Sequence, residues 1–276
     1  MKFRTTIDIP IPNFSFKPCE RVLFVGSCFA DSIGKRFKEE KFRTKVNPFG
    51  VMYNPVSILH TVRKLSNQAF DIVVFTLGTN HVYIEKATGE IVDNCQKRPQ
   101  KLFNEQELTI DESANALREA IHLLRKQNPN VKVIVTVSPI RYAKYGFHGS
   151  QLSKATLLLA ADKIAREEGE AVYYFPAYEI VNDELRDYRF YKADMLHPNE
   201  QAVEYIWERL VETCFSSEAK KFLEAWRPIK EALGHRPFNP DSETYRLFLK
   251  KTKEKARRLK QLYPDLEIDE EQLKQC

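Results

Sequence analysis

Short apolar runs alternate with amphipathic stretches across residues 21–213. RVLFV (21–25) is β-rich and stops at Gly26, which predicts a strand entering a tight turn. In 29–40, Ile33 and Phe37 fall four apart with charges between them, the spacing of a helix with one buried face. A second strand is expected over 42–47, then the loop NPFGVMYNP and a helix over about 56–65. FDIVVFTL (70–77) and VKVIVTV (131–137) are nearly continuous apolar runs, as in strands covered on both faces. HVYIEKATGEIVDN suggests a hairpin turning at Thr88-Gly89. Helices are expected over about 111–126, with Asp111 as N-cap, over 151–168, and over about 198–213 with Pro198 in its first turn. AVYYF (171–175) completes the strand set.

This alternation predicts an α/β fold, a doubly wound parallel sheet with helices on both faces. From about residue 216 the pattern changes to charged, helix-rich sequence with no strand-like run. The chain is therefore divided into an α/β domain, 1–215, and a helical C-terminal extension, 216–276, packed on the domain or projecting from it. HRPFNP reads as a linker between two helices, and Asp241 or Ser242 as the cap of the second. If the extension folds back, partial cover over a pocket at the strand ends is expected.

Composition changes this picture little. With 43% hydrophobic and 29% charged residues the chain has the make-up of an ordinary globular protein. A net charge of +5 is too mild to argue for nucleic acid. The basic stretch KKTKEKARRLK from Lys250 carries Glu254 and lies among leucines, so it reads as the solvated face of a docked helix. No apolar run approaches the roughly 20 residues of a membrane span, and MKFRTTIDIPIPNF lacks the apolar stretch of a signal peptide. Cys19, Cys28, Cys95, Cys214 and Cys276 are odd in number and scattered, which fits a reducing cytoplasm rather than a disulfide framework or zinc site. Cys276 is not in the position of a prenylation box.

Ligands of an open parallel sheet bind beyond the carboxyl ends of its strands. Three reactive groups are expected on that rim: Gly26-Ser27-Cys28, Gly78-Thr79-Asn80-His81, and Asp194-Met195-Leu196-His197. The string GSCFA at 26–30, with SPIRY, QLSKATLLLA, YFPAYEI and DELRDYRFY…DMLHP, resembles the GSCFA-domain family over roughly 15–215. That family is similar in turn to the SGNH hydrolases, or GDSL esterases, of flavodoxin-like three-layer architecture. The resemblance implies an esterase or acyl hydrolase working through a covalent acyl-enzyme without cofactor or metal. Its substrate would be a small-molecule or carbohydrate ester. An acyltransferase using the same site, or an inactive carbohydrate- or partner-binding module, is the alternative.

By that resemblance His197 is the general base and Asp194 its orienting partner. The nucleophile is open between two registers. Aligning on Gly26 selects Cys28, and aligning on the serine selects Ser27. Gly50 and Asn80 correspond to the oxyanion-hole glycine and asparagine. His81, Arg141 and His148 are candidates for lining the substrate pocket, and Lys154 for contacting an acidic or sugar-bearing group.

Overall fold

The computed structural model describes all residues except 2–3, 94, 96–97, 236, 240–241 and 269–276. Five parallel strands form the central sheet: β1 (Arg21–Gly26), β2 (Arg43–Val46), β3 (Ile72–Leu77), β7 (Lys132–Val137) and β8 (Val172–Tyr174). They lie in the order β2-β1-β3-β7-β8. The chain thus winds outward from β1 in one direction and then, from β3 onward, in the other. The switch point falls between β1 and β3, where a doubly wound sheet opens a crevice at its carboxyl edge.

Alternation within each strand assigns its side chains to two cores. Val22 and Phe24 of β1 and Ile72 and Val74 of β3 face α1 (Cys28–Glu39) and α6 (Glu200–Cys214). Leu23, Val25, Val73 and Phe75 face α2 (Pro55–Lys64), α3 (Ile110–Gln127) and α4 (Gly146–Glu168). Strands buried on both faces need no polar alternation, and so their sequences read as apolar runs.

A second, antiparallel sheet branches off after β3, in the order β5-β4-β6. β4 (His81–Glu85) and β5 (Ile91–Val92) form the expected hairpin, and β6 (Phe103–Glu107) pairs with the other side of β4. β6 is absent from the sequence reading because FNEQE has a single buried residue, Phe103. Its pairing is set by β4 and not by its own hydrophobicity.

Other boundaries differ for local reasons. Asp111 does not cap α3. Thr109 does, its hydroxyl accepting from the Glu112 N–H while the Glu112 carboxylate accepts from the Thr109 N–H, a reciprocal capping box. Pro198 lies outside α6, bridged to Tyr191, and Asn199 caps that helix through the Ala202 N–H. α4 begins at Gly146 and absorbs the GFHGS segment. Between β8 and α6 the chain forms the short α5 (Ala177–Glu179) and a π-helical turn (Ile180–Leu185).

The extension forms α7 (Ser217–Gly234) and α8 (Glu243–Leu262), with Ser242 capping the latter through the Tyr245 N–H. Asp241 and Cys276 lie outside the described residues. α7 docks by Trp226, whose indole N–H donates to the Glu39 carbonyl at the end of α1, and by Phe222 against Phe42. Tyr263 packs on Phe222, and Asp265 reaches Arg43 at the start of β2. These contacts all lie at the amino ends of the strands. Among the described residues the extension therefore gives no cover over the carboxyl rim, because it is anchored at the opposite end. No helix among the described residues is long and apolar enough to cross a membrane.

Candidate active site

β1 ends at Gly26 with φ +148°, a backbone conformation that excludes other residues, and a Cβ there would stand 2.2 Å from the Thr76 carbonyl oxygen. The turn is pinned by Asn47, whose side-chain oxygen accepts from the Gly26 N–H while its amide donates to Asp31. Ser27 follows as N-cap of α1, accepting from the Phe29 N–H, and its hydroxyl is fully buried against Thr76 at 3.2 Å. Cys28 is the first helical residue and only half-buried, its Sγ 3.9 Å from the Tyr53 hydroxyl. At that helix position the backbone N–H has no intrahelical partner. The two registers left open by the sequence are thus unequal in access: one side chain is a buried cap, and the other reaches the rim.

Asp194 and His197 meet as the spacing suggests. His197 Nδ1 lies 2.7 Å from Asp194 Oδ2, and Asp194 Oδ1 accepts from the Leu196 and His197 N–H groups. Those two backbone bonds, with the imidazole, hold the Asp194 carboxyl down at about 2. An aspartate that stays ionised fixes the proton on Nδ1 and leaves Nε2 as the acceptor. Met195, at φ +58°, makes the bend that turns both side chains together. The segment is tied to the loop after β7 by the Arg141 N–H to the Leu196 carbonyl and the Arg141 guanidinium to the Met195 carbonyl. Across a cavity of about 390 Å³, Lys192, Pro198 and Asn199 face Ser32, one turn beyond Cys28 on α1. That cavity continues along α1 past Lys35, Arg36 and Glu39, and neither Cys28 nor His197 lines it.

The other candidates divide. Arg141 is spread over Phe147, 4.1 Å from the ring centroid, and Tyr191, beside the dyad. His148 is exposed in the first turn of α4. His81 does not line the rim. Its ring is stacked on Tyr145 at 3.6 Å between Glu105 and Glu107, inside the second sheet, where burial lowers its proton affinity. Asn80 is buried at 2% exposure with its amide donating to the Leu108 carbonyl, and the Gly50 N–H donates to the Asn47 carbonyl. The Gly50 N–H is thus engaged within its own loop, and one of the two Asn80 amide N–H groups is engaged by the residue that follows β6. Lys154 is buried at 2% exposure and donates to the Gly78 and Ser138 carbonyls, joining the exits of β3 and β7. Desolvation pushes its ammonium down to about 7.

Sequence reasoning missed Asn47, Tyr53 and Tyr142. Asn47 had a signal, since Asn tolerates the left-handed backbone it adopts here, φ +39°. Tyr53 and Tyr142 had none, because nothing local marks a tyrosine whose hydroxyl turns toward a distant strand end. They meet edge to face at 6.0 Å beside Gly78, where a Cβ would stand 2.4 Å from the Tyr142 hydroxyl oxygen.

Comparison with known proteins agrees with the sequence strings at this rim. The GSCFA family model matches residues 21–71 and 61–210, and a model for the C-terminal domain of GSCFA-domain proteins matches 226–274. The chain belongs to the GSCFA family. A sequence comparison with curated proteins gave no match. Solved structures similar to this GSCFA protein include a catalytic mutant of the acetylxylan esterase Axe2 from Geobacillus stearothermophilus, at 16% identity and TM-score 0.48, covering 74% of this chain and 98% of that one. A family 3 carbohydrate esterase from Talaromyces cellulolyticus gives 14% and 0.44 over 74% and 98%. A GDSL-like lipase from Bacteroides ovatus gives 11% and 0.47 over 74% and 54%. Likeness at this level says nothing of the reaction.

Proposed function

We propose that this GSCFA protein is an SGNH-type acyl hydrolase that cleaves an ester-linked acyl group, on a small molecule or a carbohydrate, through a thioester on Cys28. The observation that carries the reading is an imidazole ordered by a carboxylate at 2.7 Å, and a half-exposed thiol at the helix N-terminus after β1 supports it as nucleophile. His197 Nε2 takes the thiol proton as Sγ attacks the ester carbonyl carbon, and the carbonyl oxygen becomes an oxyanion. The ester C–O bond then breaks, and His197 returns the proton to the departing alcohol. In the second half His197 deprotonates water, which attacks the thioester. The acid leaves and Cys28 regains its proton. Asp194 holds the ring and stabilises imidazolium throughout. The dyad is open, with side-chain exposures of 37% for His197 and 43% for Asp194, so water has access to an acyl-enzyme there.

The test is hydrolysis of p-nitrophenyl acetate by wild type, Cys28→Ala, Ser27→Ala and His197→Ala. Cys28→Ala and His197→Ala are expected to lose about 10²–10⁴-fold in rate. Ser27→Ala keeps its activity and loses about 1 kcal/mol of stability with its cap. Activity lost from folded Ser27→Ala and kept in Cys28→Ala would reassign the nucleophile. A wild type no faster than buffer would remove the ester reading. Burial pushes the Cys19 and Cys214 thiols up to about 11, so iodoacetamide near neutral pH should label Cys28 well before either.

A further inference from the structure

An acyl-enzyme needs donors for the oxyanion. Of the two expected from the sequence, the Gly50 N–H is spent on the Asn47 carbonyl, and the Asn80 amide gives one of its two N–H bonds to the Leu108 carbonyl. Two hydroxyls stand near these positions. Tyr53 lies three residues beyond Gly50 in the same loop, with its Oη 3.9 Å from Cys28 Sγ. The Tyr53 backbone carbonyl accepts from the Gly78 and Thr79 N–H groups, so its loop is clamped to the exit of β3, where Asn80 was expected to act. Tyr142 comes from the loop after β7, and its hydroxyl reaches the same exit because Gly78 has no Cβ. That hydroxyl is buried without a hydrogen-bond partner, which leaves a donor of this kind costly unless something arrives to accept from it.

Resting on the acyl-transfer reading, we propose that the hydroxyls of Tyr53 and Tyr142, together with the Cys28 N–H, bind the carbonyl oxygen of the reacting acyl group. Burial and the nearby Cys28 push the Tyr53 phenol up to about 12, and burial raises Tyr142 well above its ordinary value. Both therefore keep their protons at neutral pH and act as donors. The edge-to-face contact of the two rings fixes their mutual orientation, and the Lys154 Nζ lies 5.0 Å over the Tyr142 ring. Tyr142 is thus held by two contacts before any substrate enters, the condition under which an oxyanion donor is most effective.

The experiment is steady-state hydrolysis of p-nitrophenyl acetate by wild type, Tyr53→Phe, Tyr142→Phe and the double variant, with thermal unfolding of each. Phe keeps the ring and removes only the donor. Each single variant should lower kcat about 10–100-fold with KM changed less than about threefold, because the bond strengthens as charge develops on the oxygen. Unfolding temperatures should not fall, and Tyr142→Phe should gain slightly from losing a buried unpaired hydroxyl. A loss confined to KM, or a wild-type kcat in both Phe variants while Cys28→Ala is inactive, overturns the tyrosine assignment and leaves the hydrolase reading standing. A wild type without turnover overturns both.

Discussion

At the amino ends of the strands Phe16, Phe37, Phe42, Phe215 and Phe222 form one continuous aromatic cluster, sealed by Trp226 at 1% exposure. At the carboxyl ends the aromatic side chains are mostly tyrosines with polar tips, and one of those tips, on Tyr142, has nothing to bond. The same end holds a buried lysine with two carbonyl partners and no carboxylate among its contacts. One end gains stability from apolar burial. The other retains groups that a purely structural core would discard, the pattern expected where local consistency is given up for chemistry.

The contrast can be broken from either side. The largest effect expected is on turnover: Asp194→Asn frees the wrong imidazole tautomer and should cost about 10²–10⁴-fold in kcat, with unfolding almost unmoved. Trp226→Ala should do the reverse. It removes a buried indole and its bond to Glu39, costing about 3–5 kcal/mol in denaturant unfolding, with kcat per folded molecule unchanged. A drop in kcat there would mean that the two ends are coupled through the sheet.

Lys154 sharpens the comparison through pH. Burial holds its proton affinity down at about 7, against about 10.4 for a lysine in an unfolded chain. Between those values the unfolded state binds the extra proton, so folding stability rises with pH, by at most about 1.4 kcal/mol per unit. The cost is fully present below 7 and relieved as pH climbs. Lys154→Met should flatten this slope in chemical denaturation from pH 7 to 9. Parallel curves would mean that the two carbonyl bonds keep the ammonium charged throughout. The smallest effect belongs to the extension: Ser242→Ala loses the α8 cap and about 1 kcal/mol, with no change in activity.

Much of this was legible because burial on both faces writes apolar runs, which marked β1, β3 and β7 directly; β2, with the sequence RTKV and no buried residue, was placed by its position between two amphipathic stretches. The dyad was legible through the family resemblance, and because Asp194 and His197 are three residues apart a single turn of chain suffices to pair them. What failed was everything set at a distance. β6 takes its conformation from β4, and Asn80 has its amide drawn away by Leu108. His81 is placed by Tyr145, more than sixty residues away in the chain. Thr109-x-x-Glu112 is a different failure, since the capping box is written in the sequence and the neighbouring Asp111 was preferred to it.

β6 has one further consequence. It ends the second sheet among the described residues, and Asn104, Glu105, Gln106 and Glu107 along it are all exposed. An unpaired strand edge is a template for another molecule's backbone, and a row of apolar side chains there would invite growth into aggregates. A second copy laying the same strand alongside in antiparallel register about Gln106 would bring Glu105 of each copy against Glu107 of the other. Like charges set opposite one another disfavour that pairing, so the exposed edge carries its own obstacle to growth.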